Sequence, residues 1–173
     1  KKAVFQAFEQ AVNGNLVVFG VRPKSPETGY GYLEINENSK EPHKIISFIE
    51  KPDLNDAEHY FMDGRFYWNS GMFCFSAGVM ASNLSIHAND VWMETKNVYS
   101  NKIVNNEVTN FDYDLFINIP NTSIDYAVME KANKIVMIPA DFDWTDLGDW
   151  DAVAKMYDAD KNFNSTAGYD DQY

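Results

Sequence analysis

Residues Leu16-Val17-Val18-Phe19-Gly20-Val21 run without a single polar side chain. Successive side chains on a strand point to opposite faces, so an unbroken apolar run is one buried on both. Such a strand needs cover on each side of its sheet, which in a mixed chain means helices. The residues just before supply one. Val4, Phe5, Phe8, Ala11 and Val12 fall on one helical stripe over residues 3–12, and Asn13-Gly14 reads as its stop. A helix tail leading into a buried strand reads as an α/β fold entered midway.

The rest of the chain fits that class. Tyr30, Tyr32, Leu33 and Ile35 suggest a second strand, residues 44–49 a third that Pro52 ends, residues 72–75 a fourth, and residues 135–138 a last one stopped by Pro139. Residues 55–63 read as a helix stopped by Gly64, and residues 77–84, 91–99 and 123–132 as further helices. Thr122 is placed to cap the last of these, and Asp125 lies in its first turn. Residues 101–110 are polar and Asn-rich and read as loop, while residues 151–157 begin one more helix, with Asp149 as its cap. One domain with a mixed, mostly parallel sheet flanked by helices is expected over residues 1–158. Residues 159–173 are expected to be a polar tail or the start of an extension.

Composition narrows the function classes. With 45% apolar and 15% aromatic residues the chain has material for a packed core. A net charge of −12 repels a phosphate backbone and argues against nucleic-acid partners, though a small phosphorylated substrate is compatible with a locally positive pocket. The longest largely apolar stretch, residues 71–81, falls far short of the roughly 20 residues of a membrane span. The lone cysteine, Cys74, excludes an intrachain disulfide and fits a reducing compartment. His43, His59 and His87 are dispersed, which argues against a zinc site.

Four segments carry polar groups beside strand ends. Thr28-Gly29-Tyr30-Gly31-Tyr32 lets a backbone pass close to a ligand, or forms a bulge. Glu50-Lys51-Pro52 places a cation where it could hold a phosphate and a carboxylate where it could accept from hydroxyls, or is a solvated charge pair. Tyr67-Trp68-Asn69-Ser70-Gly71 joins aromatic surface to an amide that both donates and accepts, or is a turn before the fourth strand. Trp144-Thr145-Asp146-Leu147-Gly148-Asp149-Trp150 offers Asp146 as a Mg²⁺ ligand, or as a turn former.

Taken together, Pro26-Glu27-Thr28-Gly29-Tyr30-Gly31-Tyr32, Phe48-Ile49-Glu50-Lys51-Pro52-Asp53, Tyr67-Trp68-Asn69-Ser70-Gly71-Met72-Phe73, Ser123-Ile124-Asp125-Tyr126-Ala127-Val128-Met129-Glu130-Lys131 and the 144–150 segment resemble the mannose-1-phosphate guanylyltransferases, in that family's order and approximate spacing. The resemblance runs from about residue 15 to about residue 155. It implies a Rossmann-like nucleotidyltransferase domain that joins mannose 1-phosphate and GTP into GDP-mannose and pyrophosphate with Mg²⁺. It also implies a cytoplasmic enzyme feeding polysaccharide precursors, and it leaves room for a homo-oligomer. By that resemblance Gly29 and Gly31 let the backbone approach the sugar, Glu50 and Asn69 bind its hydroxyls, Lys51 contacts its phosphate and Asp146 binds the metal. Lys51 and Asp146 carry the catalytic roles, while residues 123–131 read as a structural helix with Asp125 a lesser site candidate. Lys51, Asn69 and Asp146 are then expected to converge on one cleft.

The chain departs from the family at its start. The Gly-rich triphosphate loop and the early metal-binding aspartate are not found, and there is no initiator Met. The expectation is a chain that begins downstream of both and turns over poorly or not at all by itself. The rival readings are a nucleotidyltransferase for another sugar 1-phosphate, such as glucose 1-phosphate, and a non-catalytic module that binds sugar phosphates. A carboxylate-pair glycosidase is a more distant third.

Overall fold

The computed structural model describes residues 1–36, 38–148, 150–154, 156–157, 159–160 and 164. They fall into two compact units, Lys1–Asp141 and Phe142–Tyr173. Asp149 and residues 161–163 and 165–173, read above as a cap and a polar tail, lie outside the described residues.

The first unit is built on β1 (Leu16–Val21), every residue of which is buried. Its two faces serve two cores. Leu16 and Val18 join Leu33, Ile35, Tyr67, Val128 and Met137 on one side, and Val17 and Phe19 join Ile138 and the helix α1 (Lys2–Val12) on the other. Gly20 sits where no side chain fits, since a Cβ there would lie 2.6 Å from the Met137 sulfur and 3.1 Å from Tyr67 Cβ.

Four more strands complete the sheet: β2 (Tyr32–Ile35), β3 (His43–Ile49), β4 (Phe66–Cys74) and β7 (Ile135–Pro139). Their order is β1-β4-β2-β3-β7, and β7 pairs with both β3 and β1, so the sheet closes on itself. The sheet is mixed, as expected, but its parallel share is smaller than expected. Only β1 and β7 run parallel; β1–β4, β2–β4, β2–β3 and β3–β7 are antiparallel. A short connection accounts for the β2–β3 pair, where a turn returns the chain beside itself in the opposite sense, while the other antiparallel pairs join strands far apart in sequence.

Helix α1 departs from its sequence reading. The buried stripe is Ala3, Ala7 and Ala11, while Val4, Phe5, Phe8 and Val12 are 62–71% exposed. Spacing by four puts the alanines in one row, and only small side chains let the helix approach Val17, Phe19 and Ile138 closely. Apolar periodicity marked the helix correctly and the wrong face of it.

Three further helices form where expected. In α2 (Leu54–Asp63), the Asp53 carboxylate accepts from Asp56 N–H at 2.9 Å, and Gly64 closes the end at φ 78°. α3 (Ala77–His87) and α4 (Asn89–Ser100) follow β4. The 101–110 segment is not a plain loop: β5 (Ile103–Asn105) and β6 (Val108–Asn110) form a hairpin, with Asn106 at φ 56° in its tip. Asparagine tolerates that left-handed conformation, which composition alone hides. A short helix, α5 (Tyr113–Phe116), comes next. Residues Asp125–Met129 wind as one π-helical turn rather than an α-helix, and Ser123 Oγ, not Thr122, accepts from the Tyr126 N–H at 3.4 Å. In the second unit, α6 (Trp150–Ala154) is the helix expected there.

Candidate functional site

Strand register assembles the site. Tyr32 of β2 lies opposite Ile49 of β3 and Trp68 of β4. One step further along each strand, toward the same end of the sheet, come Gly31, Glu50 and Asn69. These three therefore form one cross-strand row, with side chains on the face opposite to Tyr32 and Trp68. Three segments separate in sequence meet because antiparallel pairing has put them in the same row.

The contacts within the row are close. The Asn69 N–H donates to Gly31 O at 2.7 Å. A Cβ on Gly31 would collide with Glu50 Oε2 and lie 3.2 Å from Asn69 Cβ, so no side chain larger than hydrogen fits without displacing the carboxylate. Gly29 differs: it is exposed, with nothing within 4 Å of its Cβ position.

Asn69 is held at both ends of its amide. Oδ1 accepts from the Gly71 N–H at 3.0 Å, and Nδ2 donates to Asp125 Oδ1 at 3.1 Å. The segment around it is strand, not the turn that composition suggested. The pairing of β1 with β4 skips between Val18↔Phe73 and Gly20↔Asn69, leaving extra residues in β4, and Gly71 takes φ 71° within that bulge. Turn-type residues thus mark a bulge, and Asn69 and Ser70 beside it are both buried.

Glu50 is the buried acid at the centre of the row. Its side chain is 11% exposed, and Oε2 is buried without a hydrogen-bond partner. Burial first, and then the Asp125 charge, push its carboxyl above the ordinary carboxylate range, while Lys51 opposes them. Lys51 Nζ stands 3.7 Å from Glu50 Oε1 with its side chain 60% exposed, a cation at the rim of the row. The Lys51 backbone is left-handed at φ 49°, an uncommon conformation for a residue with a Cβ. Glu130 closes the arrangement: its Oε1 accepts from the Glu50 N–H at 3.1 Å.

The structure thus brings Gly31, Glu50, Lys51 and Asn69 together and adds Asp125, a lesser candidate in the sequence, and Glu130, which the sequence places only in a structural helix. The available signal was their separation by five residues. In an α-helix that spacing puts side chains about 140° apart, but a turn closed by i→i+5 bonds brings them to one side. The closing bond is present, from the Glu130 N–H to Asp125 O at 3.0 Å. Asp146 belongs to the second unit, where it is exposed and stands next to Gly148. Among the described residues no three His, Cys, Asp or Glu side chains gather as a metal cage. Magnesium does not require one, taking one or two carboxylates plus substrate phosphates, and the single hard oxygen donor of Asp146 fits that share.

The fold is an α/β domain in which an amide, a buried carboxylate and an adjacent lysine meet at one end of the sheet. The chain belongs to the nucleotidyl transferase family, whose model matches residues 1–162. It is 37% identical over 167 residues to a "putative mannose-1-phosphate guanylyltransferase" of Vibrio cholerae, covering 96% of this chain and 36% of that protein. The chain thus spans about a third of the length of the curated relatives it matches. Among solved structures it superposes on "mannose-6-phosphate isomerase" of Helicobacter pylori with a TM-score of 0.78 at 32% identity, covering 84% of this chain and 57% of that one. It superposes on "mannose-1-phosphate geranyltransferase" of Thermus thermophilus with a TM-score of 0.75 at 30% identity, covering 92% and 45%. No described helix is long and apolar enough to cross a membrane.

Proposed function

We propose that this chain carries the sugar-phosphate side of a mannose-1-phosphate guanylyltransferase. The observation that carries the reading is the Gly31–Glu50–Asn69 row with Lys51 at its rim. Glu50 and Asn69 offer acceptors and donors to hexose hydroxyls, and Gly31, lacking a side chain, lets the Glu50 carboxylate sit beside Asn69. Gly29, with open space on its side, continues the backbone edge that faces the sugar. Lys51 holds and orients the phosphate as a point charge.

In the reaction, a phosphate oxygen of mannose 1-phosphate attacks the α-phosphorus of GTP. The bond from that phosphorus to the bridging oxygen of the β-phosphate breaks, and pyrophosphate leaves. Such transfers depend on positioning and charge neutralisation more than on covalent help from the protein. Lys51 supplies orientation of the attacking group. Asp146 is assigned as a ligand for Mg²⁺, which when bound offsets charge on the transferred phosphate. The product would supply GDP-mannose for polysaccharide assembly in the cytoplasm.

Isothermal calorimetry of this chain with mannose 1-phosphate and with glucose 1-phosphate tests the sugar assignment. Tighter binding of the mannose compound is expected, and Lys51→Ala should weaken it roughly tenfold or more. Equal or reversed preference removes mannose from the assignment. Pyrophosphate release from GTP on addition of mannose 1-phosphate and Mg²⁺ tests the transfer.

A further inference from the structure

We propose that Asp125 and Glu130 are positioning residues, a two-point bracket on one π-helical turn that sets the sugar-contacting ends of β3 and β4 relative to each other. The proposal rests on the sugar-phosphate reading above and deepens it. Asp125 reaches β4: its Oδ1 accepts from Asn69 Nδ2 at 3.1 Å. Glu130 reaches the residue after β3: its Oε1 accepts from the Glu50 N–H at 3.1 Å. Neither carboxylate needs to touch substrate for this.

Three features make the bracket specific. An asparagine amide is nearly symmetric in shape, so its neighbours decide which end donates and which accepts. Here the Gly71 N–H requires an acceptor on one side and the Asp125 carboxylate a donor on the other, which settles the orientation of Asn69. The Glu50 N–H lies just before Lys51 at φ 49°, so Glu130 pins the corner where the chain adopts its uncommon conformation. The platform behind both is stiff, since Ala127, Val128 and Met129 are all buried in the core. The i→i+5 winding is what lets one short turn address two strands at once.

The test is a set of variants read by calorimetry with mannose 1-phosphate. Asp125→Ala is expected to weaken binding roughly tenfold, and Asp125→Asn, which retains an acceptor oxygen, to recover most of that loss. In an Asn69→Ala background, Asp125→Ala should add little, because its effect passes through the missing amide. Glu130→Ala should weaken binding where Glu130→Gln does not. Additive effects of Asp125→Ala and Asn69→Ala, or an Asp125→Asn variant as impaired as Asp125→Ala, would overturn the bracket. Wild-type hydrogen exchange gives a second decision that needs no ligand and no variant that folds. The Asn69 side-chain amide and the Glu50 N–H are expected to exchange more slowly than free groups, and exchange at free rates sinks the proposal. If wild type does not bind mannose 1-phosphate, the guanylyltransferase reading fails, and the exchange measurement alone decides the bracket.

Discussion

Glu50 and Lys51 are neighbours in sequence and opposites in environment. The carboxylate is buried with one oxygen unpartnered, and the ammonium is mostly in solvent. A carboxyl raised by burial folds more readily in its neutral form. Its stability contribution is therefore present below its unfolded value of 4.5 and lost as pH rises through the higher folded value. Glu50→Gln should accordingly be more stable than wild type near neutral pH, with the gap closing toward about pH 4. Urea midpoints at the two pH values measure this, and a gap that stays constant contradicts it. Lys51 poses the complementary question. A residue with a Cβ in the left-handed region costs about 1 kcal/mol, so Lys51→Gly should stabilise the fold by about that amount while weakening sugar-phosphate binding. Lys51→Ala should lose binding without gaining stability. Equal melting temperatures for the Gly and Ala variants would show that the corner is not strained. At this scale the sequence was informative about chemical type: Glu50, Lys51 and Asn69 stand out as polar groups beside apolar runs. It said nothing of Asp125 as the partner of Asn69, because that bond spans 56 residues.

Elements obey local rules until packing intervenes. α2 has its Asp53 cap and Gly64 stop, and both were legible because caps act within a few residues. α1 shows the limit. Its large apolar residues promised a buried face, yet the face that packs is alanine. Ala7, fully buried, should therefore be the sensitive position. Ala7→Leu is expected to destabilise by about 1–3 kcal/mol through overpacking, whereas Phe8→Ser, at a site 62% exposed, should change stability by less than about 0.5 kcal/mol. Thermal melts of the two variants check the ordering, and a larger loss for Phe8→Ser would mean the helix buries its other face in solution. The β4 segment carries a similar lesson. Asn69-Ser70-Gly71 has turn composition, but pairing partners on both sides hold it in a strand and turn the glycine into a bulge. The π-turn at Asp125–Met129 was read as an α-helix because composition has no marker for an i→i+5 closure.

Across the whole molecule, the α/β class followed from β1 alone, since an apolar run that cannot face water on either side requires cover on both. The sense of the sheet did not follow. Four antiparallel pairings against one parallel, and closure through β7, depend on which strands meet, and no single segment carries that information. The site has the same history. By itself the sequence determined which residues had chemistry to offer, the buried strand β1 and capped helices such as α2, because side-chain type, capping and periodicity act over a few neighbours. Only the tertiary structure decided that Gly31, Glu50 and Asn69 share a row, that Asp125 and Glu130 reach it, and that alanines rather than phenylalanines face the core. Register and close packing are properties of surfaces brought together from far along the chain, and their energies exist only once those surfaces touch.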